Sequence, residues 1–239
     1  MVMVLRVAMR APVASFRRPL DHNYQRSLPL PPPTTLLGIA GAALGLSDRQ
    51  MWAEDSPLRQ LLVTAWTDAE PGRARDMWTV LKVKGGKIAE RSPYFRELLF
   101  FVRYTLVYGG PEDTLQKLKE AFADPIYPLS LGREDELALV EEAALEEATE
   151  GQPRFRGTMV PGDVRAFSPR PVLQPGLRME PVLVEILPLS FRLDNRGIRS
   201  PERMTTLSFL PMQVELEVPS PEFPVLHLQG RNFTWANNP

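Results

Sequence analysis

The sequence predicts an α+β protein: a ferredoxin-like (RRM-like) domain that carries an inserted β-hairpin, followed by a β-rich C-terminal region. Three observations lead there. Apolar patterning runs strand, helix, strand, strand, helix, strand over the first 131 residues, which is the element order of that fold. A Gly85-Gly86 pair sits between two alternating runs inside an insertion, and supplies the positive φ angles a two-residue hairpin turn demands. The last third is strand-like but broken by prolines, as edge strands and short sheets are.

Residues 2–9 put Leu5, Val7 and Met9 on one side of an opening strand. Residues 10–26 hold four arginines and two prolines with no periodicity, and so predict a long exposed loop, a feature that is usually functional. Pro31-Pro-Pro-Thr-Thr35 predicts an extended entry and a threonine N-cap for a helix over 36–46. Gly38, Gly41, Ala42 and Gly45 line that helix; each glycine lowers helix propensity by about 1 kcal/mol relative to alanine, so the cluster asks for close packing. Residues 61–66 and 97–108 predict the second and third strands. In the hairpin between them, over 77–91, alternation places Lys82 and Lys84 on one face, continues through Lys87, Ala89 and Arg91, and turns Leu81 and Val83 the other way. Leu115, Leu118 and Phe122 mark an amphipathic helix over 111–124, and 126–131 reads as a short fourth strand. A second, acidic helix is expected from Gly132-Arg133 to about 150, then strands over 182–193, 205–218 and 225–228. The expected organisation is a domain over 1–150, with its insertion at about 69–96, and a β-rich extension over 151–239.

Composition narrows the chemistry. With no cysteine in 239 residues there is no disulfide framework, thiol nucleophile or thiolate metal site. The two histidines, His22 and His227, are far apart in sequence, which disfavours metal or triad hydrolysis. Phosphate-loop, dinucleotide, HExxH and GxSxG signatures are absent, so neither a catalytic centre nor a cofactor is expected. No apolar run approaches the roughly 18 residues of a membrane span, and the start lacks the order of a signal peptide, so the expected location is cytoplasmic with no membrane partner. The net charge of -1 conceals segregation. Residues 1–26 carry +4 and 71–96 carry +5, while 111–150 carry -9. Arginines outnumber lysines 23 to 5, and a guanidinium both forks to phosphate and stacks on bases. These residues describe a basic face suited to RNA.

Two blocks carry a resemblance. Val13-Ala-Ser-Phe-Arg-Arg-Pro19, followed by the proline run, threonine pair and small-residue helix of 27–45, resembles the amino-terminal signature of the CRISPR-associated Cas-five family of RAMP proteins. Tyr127-Pro-Leu-Ser-Leu-Gly-Arg133 resembles that family's second block. The resemblance implies a structural, non-enzymatic subunit of a type I Cascade ribonucleoprotein in antiviral defence, whose ferredoxin-like domain and hairpin thumb grip the 5′ handle of the crRNA. It implies RNA contact by Ser15, Phe16, Arg17, Arg18, His22, Asn23, Tyr24 and Arg26, by Thr34 and Thr35 at the helix N-terminus, and by Lys82, Lys84, Lys87 and Arg91 on the thumb. A buried structural role competes for Phe16. The implied partners are the crRNA, a repeating backbone RAMP subunit, a large subunit and, through the guide, target DNA. Some members cleave precursor RNA without metal; here His22, Tyr24 and Arg26 form the candidate cluster, but the lysine-histidine pair of that branch is missing. A protein-only interaction module that uses the acidic stretch is the remaining alternative.

Overall fold

Apolar alternation at the start of the chain produces its central strand, β1 (Val2–Ala14), in the computed structural model, which describes residues 1–172, 180–219 and 221–237. Leu5, Val7, Met9 and Ala11 face the main core and are each 3% exposed or less. A loop containing the two-residue β2 (Tyr24–Gln25) leads to α1 (Pro33–Ala43), the short α2 (Asp48–Trp52), one 3-10 turn and β3 (Leu62–Thr67). β4 (Gly72–Lys84) and β5 (Lys87–Gly109) form a long hairpin; α3 (Glu112–Ala123) follows, and β6 (Leu139–Glu150) returns beside β1. The centre of the sheet reads β6-β1-β5-β3, antiparallel throughout.

Both longer helices cover one face. Leu36, Leu37 and Ile39 of α1 and Leu115, Leu118 and Phe122 of α3 are buried with Met9, Tyr104 and Tyr108 of the sheet. The small residues of α1 serve close approach: a Cβ on Gly41 would stand 2.6 Å from the Met51 sulfur, so α2 can dock directly on α1. Tyr108 donates its hydroxyl to the Leu36 carbonyl at 3.0 Å, which satisfies the polar end of a wholly buried ring.

Beyond residue 150 come β7 (Arg154–Phe155), β8 (Met159–Pro161), β9 (Arg170–Pro171), β10 (Leu183–Leu193), β11 (Arg199–Phe209), β12 (Leu216–Glu217), β13 (Leu226–Leu228) and β14 (Arg231–Phe233). β10, β11 and β8 make a sheet that sends Leu187, Leu207 and Phe209 into the main core. β7, β12 and β9 make another, over a cluster built on Phe155, Val160 and Val164. β13 and β14 extend the main sheet from β6, and Phe233 and Trp235 cover Val4, Trp66 and Val107 on the face away from the helices. Among the described residues no helix is long and apolar enough to cross a membrane.

Several elements differ from the sequence reading. β1 continues five residues past Met9, so the basic loop begins at Ser15. The N-cap of α1 is Pro32, with Pro33 at the first helical position, so Thr34 and Thr35 lie in the first turn and cap nothing. Residues 126–131 form no strand: Leu129 and Leu131 are buried at strand-like spacing, but only Ser130 makes a bridge, to Leu137. The acidic stretch is the strand β6, not a helix. Pairing with β1 overrides the weak strand propensity of glutamate, because Arg6 meets Glu142 and Glu146 at 2.8 and 2.6 Å and Arg10 meets Glu141 at 3.0 Å. The strand expected over 205–218 splits at Pro211 into β11 and β12. Leu81 and Val83 are both exposed, since among the described residues no layer covers the distal hairpin.

The segment after α3 locks onto the end of β1. The Ser15 amide donates to the Leu131 carbonyl at 3.2 Å, and the Ser15 hydroxyl donates to Glu136 Oε1 at 2.6 Å. Gly132 has φ +129°, where a Cβ would collide with the Ser15 carbonyl oxygen. Gly132→Ala is therefore expected to destabilise by at least about 2 kcal/mol, read as a lowered urea midpoint with unchanged m-value. Phe122→Ala, which empties a packed site against Tyr108, is expected to lose about 3–5 kcal/mol in the same measurement.

Candidate nucleic-acid interface

Residues 16–28 form a narrow wall. The Leu28 amide donates to the Phe16 carbonyl at 2.7 Å and the Arg18 amide to the Arg26 carbonyl at 2.9 Å, with Arg17 bridged to Ser27. Phe16 and Leu28 root the wall in the core; the Phe16 ring, 3% exposed, lies 6.0 Å from that of Tyr104. Alternation along such a ribbon sends successive side chains to opposite sides. Arg17 and Gln25 line a cleft on one side, and Arg18 and Arg26 line a second cleft on the other.

The first cleft, of about 760 Å³, gathers four separate parts of the chain. Arg17 and Gln25 come from the wall, Thr35 from the first turn of α1, Trp78 and Arg96 from the base of the β4–β5 hairpin, and Arg133 from the segment after α3. The Arg133 guanidinium lies 4.7 Å and that of Arg96 5.4 Å from the centre of the Trp78 ring. Arg133 also donates to Gln25 Oε1 at 2.8 Å, and Arg96 to Asp76 at 2.8 Å. Among the described residues Arg17 and Arg133 form no ion pair, while Glu134 and Asp135 stand on the rim. A helix N-terminus, forked guanidinium donors and an indole face together suit phosphates and unstacked bases.

The second cleft, of about 380 Å³, has its charges spent internally. Arg18 is ion-paired with Glu185, Arg26 meets Asp21 at 2.8 Å and Arg73 meets Glu180 at 3.2 Å. The Arg26 hydrogen bond holds the Asp21 carboxyl below its ordinary pKa.

The hairpin presents its cations unevenly. Lys82 is paired with Glu90 at 2.8 Å. Lys84 and Lys87 face one another at the tip and, among the described residues, have no ion pair; Arg91 stands exposed opposite Leu81. Two like charges directly opposed across a ladder repel, and an anion between them relieves that.

Thus Arg17, Lys84, Lys87 and Arg91 are exposed, and Thr34 and Thr35 are partly exposed at the start of α1. Ser15 is engaged by Glu136, Phe16 is core, and Arg18, Arg26 and Lys82 are held by carboxylates. His22 and Asn23 are exposed at the turn of the wall, where the Asn23 carbonyl accepts from the Phe95 amide at 2.8 Å. The His22, Tyr24 and Arg26 groups do not converge. Tyr24 donates to Glu97 at 2.8 Å, which raises its hydroxyl pKa, and Arg26 is committed to Asp21. Sequence reasoning missed Gln25, Trp78, Arg96 and Arg133 as site residues. Hairpin alternation puts Asp76, Trp78, Tyr94 and Arg96 on one face, a signal that was readable; the approach of Arg133 is a tertiary contact that was not.

The family model described as CRISPR-associated protein (Cas_Cas5) matches residues 4–192. Among solved structures, a chain of a CRISPR RNA-guided surveillance complex is similar with TM-score 0.56 and 17% identity, over 88% of this chain and 91% of that one. A CRISPR protein from Archaeoglobus fulgidus is similar with TM-score 0.56 and 13% identity, over 98% and 100%. No curated protein matches the chain. At these identities the structural likeness describes the fold, and the family match, which spans both sequence blocks, the hairpin and the central strands β1, β3, β5 and β6, carries the assignment: the chain belongs to the CRISPR-associated Cas5 family.

Proposed function

We propose that this chain is a structural RNA-binding subunit of a type I CRISPR effector complex that caps the 5′ handle of the crRNA. The single observation that carries the reading is the first cleft, where Arg17, Trp78, Arg96, Arg133 and the N-terminus of α1 converge although they come from four distant parts of the sequence. In this reading β1, α1, β3, β5, α3 and β6 are the ferredoxin-like palm, and the β4–β5 hairpin is a thumb inserted between its second and third strands. RNA backbone lies along the cleft and under Lys84 and Lys87. The acidic β6, already paired with β1, takes no part. A backbone RAMP subunit and a large subunit dock elsewhere on the chain, and target DNA is met through the guide.

Cleavage is not part of the proposal. Its candidate base, His22, is exposed, and the two groups nearest it in sequence that could assist are engaged elsewhere, Tyr24 with Glu97 and Arg26 with Asp21. The protein holds the RNA and leaves its backbone intact.

Binding of labelled repeat-derived RNA across a salt series tests this reading. Wild type should lose affinity steeply with salt, and Arg17→Ala/Arg133→Ala and Lys84→Ala/Lys87→Ala should each flatten the slope by roughly 1.4, about 0.7 per phosphate contact on a single strand. Trp78→Ala should weaken binding by about 1–3 kcal/mol with little change in slope. Metal-independent cleavage lost in His22→Ala would replace the reading with a ribonuclease. No binding, alone or with purified subunits of the complex, would overturn both.

A further inference from the structure

Along one edge β5 passes from β2 to β1, and along the other it passes from β4 to β3. Its far half pairs with β4 down to Phe100, opposite Gly72, and its near half pairs with β3 from Tyr104, opposite Thr67. Phe101 lies in the gap between these ladders, with φ +53° and 78% of its surface exposed. The left-handed backbone has a local cause, since the strand must bend as it leaves one partner for the other. The side chain has none: glycine would take this φ without strain, and an aromatic ring here is both strained and unburied.

The neighbouring surface is also unbalanced. Arg103 pairs directly with Arg10 of β1, and Arg10 with Leu139 of β6, so the three lie side by side across three strands on the face away from the helices. Leu139 is 60% exposed. Glu141 meets Arg10 at 3.0 Å, with the side chains 52% and 37% exposed, so solvent screens part of that pair. Arg103 forms no ion pair among the described residues. Among the described residues Arg103 lacks an anion, Arg10 has only Glu141, and the 78% exposed Phe101 ring meets that of Phe100 alone, tilted at 6.5 Å between centroids.

We infer that Phe101, Arg103 and Arg10 form a second platform for the single-stranded guide RNA, with a base stacked on the Phe101 ring and its phosphates between the two arginines. This rests on the RNA-binding reading above and extends it. Arg96, which lines the first cleft, and Phe101 lie five residues apart on β5, roughly 16 Å of extended chain, so a strand that engages both has to round the sheet from the side of α1 to the face away from the helices. Charge favours RNA over a protein partner, because the opposed arginines need an anion and the ring accepts any base.

The test compares Phe101→Gly, Phe101→Tyr and Arg103→Ala with wild type for melting temperature and for affinity toward repeat-derived RNA and single-stranded DNA of the same sequence. Phe101→Gly should melt at the same or a higher temperature, because it relieves the backbone, yet bind the RNA about 5-fold or more weakly. Phe101→Tyr should bind like wild type, and Arg103→Ala should flatten the salt slope by roughly 0.7. If Phe101→Gly binds RNA normally while Arg17→Ala/Arg133→Ala does not, this inference fails and the proposed function survives. A loss confined to DNA, or a loss of binding to a purified subunit of the complex with RNA affinity intact, also overturns it. Absence of RNA binding by the wild type overturns both readings.

Discussion

The candidate interface depends on one buried carboxylate. Glu136, 5% exposed, accepts the Ser15 hydroxyl on both oxygens, at 2.6 and 2.9 Å, and the Arg133 amide at 2.9 Å. A charge removed from water is tolerable only when its lone pairs are used in this way, so the arrangement is all or nothing. It fixes the end of β1, where the wall begins, against the turn that projects Arg133. Gly132 makes the approach possible, being the one residue type that fits beside the Ser15 carbonyl. From there Arg133 reaches both Gln25 on the wall and Trp78 on the hairpin. One satisfied carboxylate thus sets the relation among the three parts that surround the cleft.

The same economy governs charge elsewhere. The acidic β6 lies beside β1 with Arg6, 5% exposed, held between Glu142 and Glu146. On the second side of the wall Arg18, Arg26 and Arg73 each have an acidic partner. Neutralised arginines organise the protein; among the described residues Arg17 and Arg133 of the first cleft and Lys84, Lys87 and Arg91 of the hairpin form no ion pair. Which cations are neutralised, and not total charge, distinguishes the two sides of the wall in a chain whose net charge is -1.

Much of this was legible in the sequence because it is local. The alternation of β1, the Gly85-Gly86 turn and the amphipathic period of α3 each specify an element within a dozen residues, and those elements stand where the pattern puts them. β6 was misread because its glutamates suit a helix in isolation, and only Arg6 and Arg10, more than a hundred residues away, make them acceptable in a strand. Residues 126–131 were misread because burial of Leu129 and Leu131 imitates a strand's period without a partner strand. Among site residues, exposure separated neighbours that sequence treats alike: Arg17 is free and Arg18 is paired with Glu185, from a strand whose position no local pattern reveals. Trp78 and Arg133 needed the fold to bring them together.

Amide hydrogen exchange of the protein with and without repeat-derived RNA tests the central claim most directly, because it reports where the nucleic acid lies along the whole chain. The account predicts slowed exchange in the wall over 16–28, the first turn of α1, the hairpin base around Trp78 and Arg96, and the turn at 131–136, all within one RNA titration. Protection confined to the C-terminal sheets, with these four segments unchanged, would contradict it.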